Sequence, residues 1–164
     1  MKDLVVYYSL EGNTAYVAEI ISKRTGADLL RLEPKKAYHD KGFAKFLWGG
    51  KSAVMAEKPE LEDYDVNLDD YDRIIFGFPV WASNYTPPIR TFIEENADVL
   101  AGKRFAAYAC QSGSGGKKAL GKLAKDLCIE AFEQTGVFND PKAKKSRQTH
   151  EQIKEFLEGL LGKA

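Results

Sequence analysis

Four short, unbroken apolar runs, each followed by a polar turn or a segment of helical spacing, limit what this chain can become. Leu4 to Tyr8, Asp28 to Leu32, Arg73 to Phe78 and Arg104 to Ala109 are rich in Val, Ile, Leu, Ala and aromatics. Runs this short read as strands, and their continuity predicts burial on both faces, as in a parallel sheet covered by helices. A fifth strand is expected somewhere in Cys128 to Val137. Thr14 to Arg24 carries Val17, Ala18, Ile20 and Ile21 at helical spacing and ends before Gly26. Ile89 to Leu100 follows Pro87-Pro88, a pair suited to a first helical turn. Lys117 to Leu127 lines up Leu120, Leu123, Ala124 and Leu127, and Glu151 to Leu161 lines up Ile153, Phe156, Leu157 and Leu160. Thr149 or His150 stands near the start of that last helix.

Alternating strands and helices predict an α/β doubly wound five-stranded parallel sheet, a three-layer sandwich with right-handed crossovers. Pro34 to Asp70 breaks the alternation; Phe43 to Met55 within it reads as a short helix or a structured surface loop. No repeat or linker divides the chain, so residues 1–164 are expected to form one domain. With 44% hydrophobic and 29% charged residues, the composition is that of a soluble globule. Its longest apolar run, Ile74 to Ala82, is too short to span a bilayer. Met1-Lys2-Asp3 leads straight into a strand, so no signal peptide is expected. Cys110 and Cys128, outside any CxxC spacing, suit two buried thiols in a reducing, cytoplasmic compartment. Lys plus Arg and Asp plus Glu balance at 24 each, which argues against binding nucleic acid or an anionic membrane. The basic run Lys142 to Arg147 and the acidic stretch Glu57 to Asp72 read as solvated surface.

Three loops at strand ends carry ligand chemistry. Ser9-Leu10-Glu11-Gly12-Asn13-Thr14 joins the first strand to the first helix, where unpaired amides and the helix dipole favour a phosphate. Ser9, Asn13 and Thr14 add side-chain donors, and Gly12 permits close approach. With no Lys or Arg in the loop, the phosphate would be held mainly by neutral donors; otherwise Asn13 or Thr14 merely caps the helix. Pro79-Val80-Trp81-Ala82-Ser83-Asn84-Tyr85 follows the third strand, and Trp81 with Tyr85 offers either a platform for a flat ring or packing over the sheet edge. Gln111-Ser112-Gly113-Ser114-Gly115-Gly116 follows the fourth strand, as close-approaching backbone or a plain connection. In open doubly wound sheets, ligands bind beyond the carboxyl ends of strands where the winding reverses, a rule for which flavodoxins themselves are an example.

Tyr7 to Thr14, Phe76 to Trp81 followed by Pro87-Pro88, and Gln111 to Gly116 resemble the phosphate, isoalloxazine and third flavin loops of the flavodoxin family. The resemblance covers most of the chain. It implies a flavodoxin-like fold holding FMN through Ser9, Leu10, Glu11, Gly12, Asn13 and Thr14. Pro79, Val80, Trp81, Ala82, Ser83 and Asn84 would add the ring loop, and Gln111, Ser112, Gly113 and Gly116 the third. Three features depart from the family pattern. Glu11 stands where a threonine is frequent, the third loop lacks an aromatic, and the net charge is zero where flavodoxins are acidic.

The implied function is electron transfer between redox partners, a protein or a small-molecule acceptor, by a monomer or weak dimer with no catalytic side chain. The alternative is an FMN-dependent NAD(P)H oxidoreductase of quinone-reductase type, with the uncovered ring face admitting substrate. Phe43, Phe46, Trp48 and Met55 would then form a lid or dimer contact. A scaffold that keeps the fold without FMN is the non-redox reading. Gly49-Gly50-Lys51-Ser52 resembles the end of a phosphate-binding P-loop, but Lys45 occupies the required glycine position. His39 and His150 are isolated, so no metal is expected, and Cys110 reads as an inert buried thiol.

Overall fold

The side chains of each central strand alternate between two apolar clusters, and that alternation builds the layers. The computed structural model describes residues 1–38 and 57–162. Strand β1 (Asp3–Tyr7), β2 (Asp28–Arg31), β3 (Arg73–Pro79), β4 (Arg104–Gln111) and β5 (Thr135–Asn139) pair in the order β2-β1-β3-β4-β5, every pair parallel. Leu4 and Val6, Ile74, Phe76 and Phe78, and Ala107 and Ala109 point to one face. There they meet Ile89, Phe92 and Ile93 of α2 (Pro87–Glu95), Leu100 of α3 (Ala97–Leu100) and Leu120 and Leu123 of α4 (Gly116–Asp126). Val5 and Tyr7, Ile75, Ala106 and Tyr108 point the other way, onto α1 (Asn13–Thr25) and α5 (Arg147–Leu160). On β4 the small Ala106, Ala107 and Ala109 leave room beside the large Phe105 and Tyr108 for side chains of both layers.

The chain winds one way from β1 through α1 to β2, then crosses to β3 and winds the other way through α2 and α4. The loops after β1 and β3 therefore diverge to opposite faces and leave a crevice at the carboxyl edge. At the opposite edge, Arg73 is buried and donates to Asp3 at 3.1 and 2.6 Å and to the Leu160 carbonyl at 3.0 Å. This clamp joins two strands to the end of α5. Its partners satisfy the guanidinium, as a buried charge requires.

Several boundaries differ from the sequence expectation. β2 is largely exposed, with Leu29 at 39%, because it is an edge strand pairing only with β1. β5 lies at the far end of the expected window and runs on to Asn139. The helix expected over Ile89 to Leu100 is two, broken at Asn96, whose backbone leaves helical geometry while its side chain donates to the Phe92 carbonyl at 2.8 Å. α5 begins four residues before Glu151, capped by the Ser146 hydroxyl on the Thr149 amide. Cys128 is exposed, and both cysteines are free thiols. The long departure after β2 closes on itself at its base, where Lys35 donates to the Glu60 carbonyl and the Glu62 amide to Glu33. The expected helix at Phe43 to Met55, its proposed lid residues, the glycines at 49–50 and His39 lie outside the described residues. Among the described residues, no helix is long and apolar enough to cross a membrane.

Candidate functional site

A cavity of about 430 Å³ opens at the carboxyl edge, between the loops after β1, β3 and β4. From the first loop its wall takes Ser9, Leu10, Glu11, Asn13 and Thr14. From the second come Pro79, Val80, Trp81 and Ala82, and from the third Cys110, Gln111, Ser112, Gly113 and Ser114. Asp140, just after β5, completes it. Gly12, Ser83, Asn84 and Gly116 do not line the wall; they shape the loops behind it.

The first loop turns at Gly12, whose φ of 99° lies in the left-handed region that favours glycine. Ser9 is buried, and its hydroxyl accepts from the Ala15 amide at 3.1 Å. The amides of Gly12, Asn13 and Thr14 make no hydrogen bond among the described residues. These are the orphan donors of a helix start, and they carry the positive end of its dipole. Arg31 donates to the Ser9 carbonyl at 2.9 Å and holds the turn from β2.

Asn13 behaves differently from the expectation that its side chain would serve a phosphate. Its Oδ1 accepts from the amides of Lys142 at 2.9 Å and Ala143 at 3.3 Å, fastening the segment after β5 to the first loop. That segment is the basic run read from sequence as plain solvated surface. The Lys142 ammonium lies across Gly12, where a Cβ would meet Nζ at 3.0 Å. Sequence reading missed it, because nothing in a run of lysines tells which one folds back on a loop 130 residues earlier.

The second loop is a tight turn. Trp81 and Asn84 exchange backbone hydrogen bonds at 3.1 and 2.9 Å, while Ala82 (φ 49°) and Ser83 (φ 59°) both adopt left-handed backbone. Two non-glycine residues there cost roughly 1–2 kcal/mol each, so the turn must be held from outside. Asn84 holds it: its Nδ2 donates to the Ala82 carbonyl at 2.9 Å, and its Oδ1 accepts from Lys122 at 2.7 Å. Trp81 is 9% exposed and sits edge-on to Tyr8 and Tyr38, with ring centroids 5.7 and 5.1 Å away. Desolvation in this trio pushes the Tyr38 phenol up to about 12. Tyr85 takes no part in the cavity wall, against the expectation of a two-ring platform. It packs on Phe78 and donates to the Asp126 carboxylate.

The third loop is organised by Gln111. Its Oε1 accepts from the Gly116 amide at 2.8 Å, and its Nε2 donates to the Gly113 carbonyl and to Asn139. Ser112 donates to Asp140 at 2.8 Å. The amides of Ser112, Gly113 and Ser114 make no hydrogen bond among the described residues. Burial pushes the Cys110 thiol up to about 12 even though Thr14 hydrogen-bonds to it, so it stays protonated. Among the described residues, no group of His, Cys, Asp and Glu is placed to hold a metal.

The family model described as Flavodoxin matches residues 2–160. The chain belongs to the flavodoxin family. Structures with the same fold include a chain assigned as a flavoprotein from Bacteroides eggerthii, 24% identical, covering 96% of each chain at a TM-score of 0.75. A flavoprotein from Lactobacillus acidophilus in complex with FMN is 19% identical, over 94% of this chain and 97% of that one, at 0.70. Megasphaera elsdenii flavodoxin is 20% identical over 96% of each chain, at 0.59. Family membership agrees with the strand order and with a crevice at the reversal of winding.

Proposed function

We propose that this chain holds one FMN in the carboxyl-edge cavity and passes electrons between redox partners. The observation that carries the reading is the set of open amides at Gly12, Asn13 and Thr14, in a loop whose Asn13 and Thr14 line the same cavity as Trp81. The donor set fits the group. A phosphate monoester suits a helix start with three free N–H groups, and the cavity volume lies within the range of cofactor sites. FMN, also present in the Lactobacillus acidophilus relative, supplies reversible electron transfer when bound.

The chain's own residues would bind, orient and exclude water. The hydroxyls of Ser9 and Thr14 would add to the phosphate amides, and Trp81 with Val80 would cover one face of the ring. Leu10, Pro79 and Ala82 supply the remaining wall on that side. Of the peptides able to donate to the ring edge, Val80 and Trp81 already spend their amides on Cys110 and Asn84, which leaves Ala82, Ser112 and Gly113. Cys110, kept neutral, adds no charge beside the ring. No side chain here needs to act as acid, base or nucleophile.

One observation favours a second reading, an FMN-dependent NAD(P)H oxidoreductase. Trp81 is the one aromatic on the cavity wall among the described residues, and the facing loop is Ser112-Gly113-Ser114, so the other ring face would stay open to a substrate. Adding NADPH anaerobically to the FMN-loaded protein separates the two. The carrier reading expects the visible absorption band of oxidised flavin to persist. Rapid bleaching with turnover on a quinone would replace it by the second.

A further inference from the structure

We infer that Lys142 is a cationic arm of the phosphate site, giving a neutral-donor loop a charge supplied from the segment after the edge strand β5; this rests on the FMN reading above. Gly12 has open space where another residue would carry a side chain, and Lys142 fills it. A Cβ at Gly12 would meet Lys142 Nζ at 3.0 Å, Cδ at 3.4 Å and Cε at 3.8 Å. The lysine stem thus packs against the turn at Gly12 and brings its ammonium to the loop that carries the open amides of Gly12, Asn13 and Thr14.

The placement is built. The Lys142 backbone is pinned by its own amide to Asn13 Oδ1 at 2.9 Å, and Asn13 is the first residue of the helix whose start would receive the phosphate. Asp140, the acidic residue nearest in sequence, is already answered by Lys144 at 3.3 Å and by the Ser112 hydroxyl. Lys142 forms no ion pair among the described residues. Its charge therefore remains available to an anion arriving at the turn. The cation selects for the phosphorylated flavin over the same flavin lacking phosphate, and it makes that selection sensitive to salt.

The experiment compares wild type with Lys142→Met and Lys142→Arg, titrating apoprotein with FMN and with riboflavin at low and high ionic strength. Lys142→Met is expected to weaken FMN by about two- to fivefold at low salt, since an exposed ion pair is worth at most about a fivefold gain. It should flatten the salt dependence and leave riboflavin unchanged, while Lys142→Arg keeps most of the wild-type affinity. An unchanged FMN affinity and salt slope in Lys142→Met, with wild type still binding FMN, would overturn the arm and leave the FMN reading standing. Equal losses for FMN and riboflavin would also overturn it, as a structural effect. A wild type that binds no FMN would overturn both.

Discussion

Tyr108 donates its phenol to the main-chain carbonyl of Thr14 across 2.9 Å, tying the middle of the inner strand β4 to the first turn of α1. The ring reaches Thr14 only because Gly77, its register partner on β3, has no side chain: a Cβ there would sit 2.2 Å from the ring. The loop after β1 is thus braced from the core.

Removing that brace should cost stability first and cofactor second. Tyr108→Phe is expected to lower unfolding free energy by about 1–3 kcal/mol, because one buried hydrogen bond is lost. Gly77→Ala should cost about 1–3 kcal/mol or more through overpacking against a ring with no room to move. Urea titrations followed by circular dichroism measure both. A neutral Gly77→Ala would mean the ring does not lie across β3.

Ser9→Ala and Thr14→Ala should each weaken FMN by about 1 kcal/mol, roughly fivefold, with smaller effects on riboflavin. Flavin fluorescence titration reads this directly. Unchanged FMN affinity in both variants would remove the first loop from the site.

The layers were readable in the sequence because buried parallel strands are written as unbroken apolar runs, and the alternation of strand with helix leaves few topologies. Leu4 to Tyr8 and Arg73 to Phe78 each fall within one residue of the strands observed at every end. β5 was less legible: Thr135-Gly136 opens it without an apolar run, and only Phe138 is fully buried. The first turn of α5 is polar, so its apolar spacing begins only at Ile153, six residues after the helix does. The three loops were legible as turns, but their internal wiring was not. Gln111 and Asn13 look like ligand donors in sequence, yet each spends its side-chain oxygen on protein amides. Such destinations depend on tertiary approach, which local pattern does not encode. Tyr8 and Tyr38 around Trp81 were missed for the same reason.

Cofactor binding should report through one tryptophan. Trp81 lies on the cavity wall, so FMN should quench its emission. A variant with Trp48→Phe, which leaves Trp81 as the sole indole, should keep the quenching on titration. Trp81→Phe should lose it. The reverse pattern would place the ring elsewhere.

Thiol chemistry should divide sharply. Iodoacetamide at pH 8 should alkylate exposed Cys128 and spare Cys110 until the protein unfolds, as mass spectrometry of peptides would show. Because burial raises the Cys110 thiol from 9.0 to about 12, the folded state keeps a proton that the unfolded chain releases. Its contribution to stability is full below pH 9 and falls as pH climbs from there toward 12. Cys110→Ser should reduce that alkaline loss; an identical alkaline profile would contradict the assignment.

At the acid end the sign reverses. Arg104 and then Arg73 hold the Glu133 carboxyl below its ordinary value of 4.5. Its stabilising effect is present above pH 4.5 and lost as pH falls through the lowered value. Glu133→Gln should therefore be less stable than wild type at pH 7 and converge with it in acid, measured as urea midpoints against pH.

The position of the phosphate decides whether the first loop holds FMN. Amide chemical shifts of the ¹⁵N-labelled protein, recorded with FMN and with riboflavin, test that most directly. The amides of Gly12, Asn13 and Thr14 should move downfield with FMN and far less with riboflavin, as expected for donors gripping an anion. FMN binding that leaves those three amides in place while others shift would contradict it.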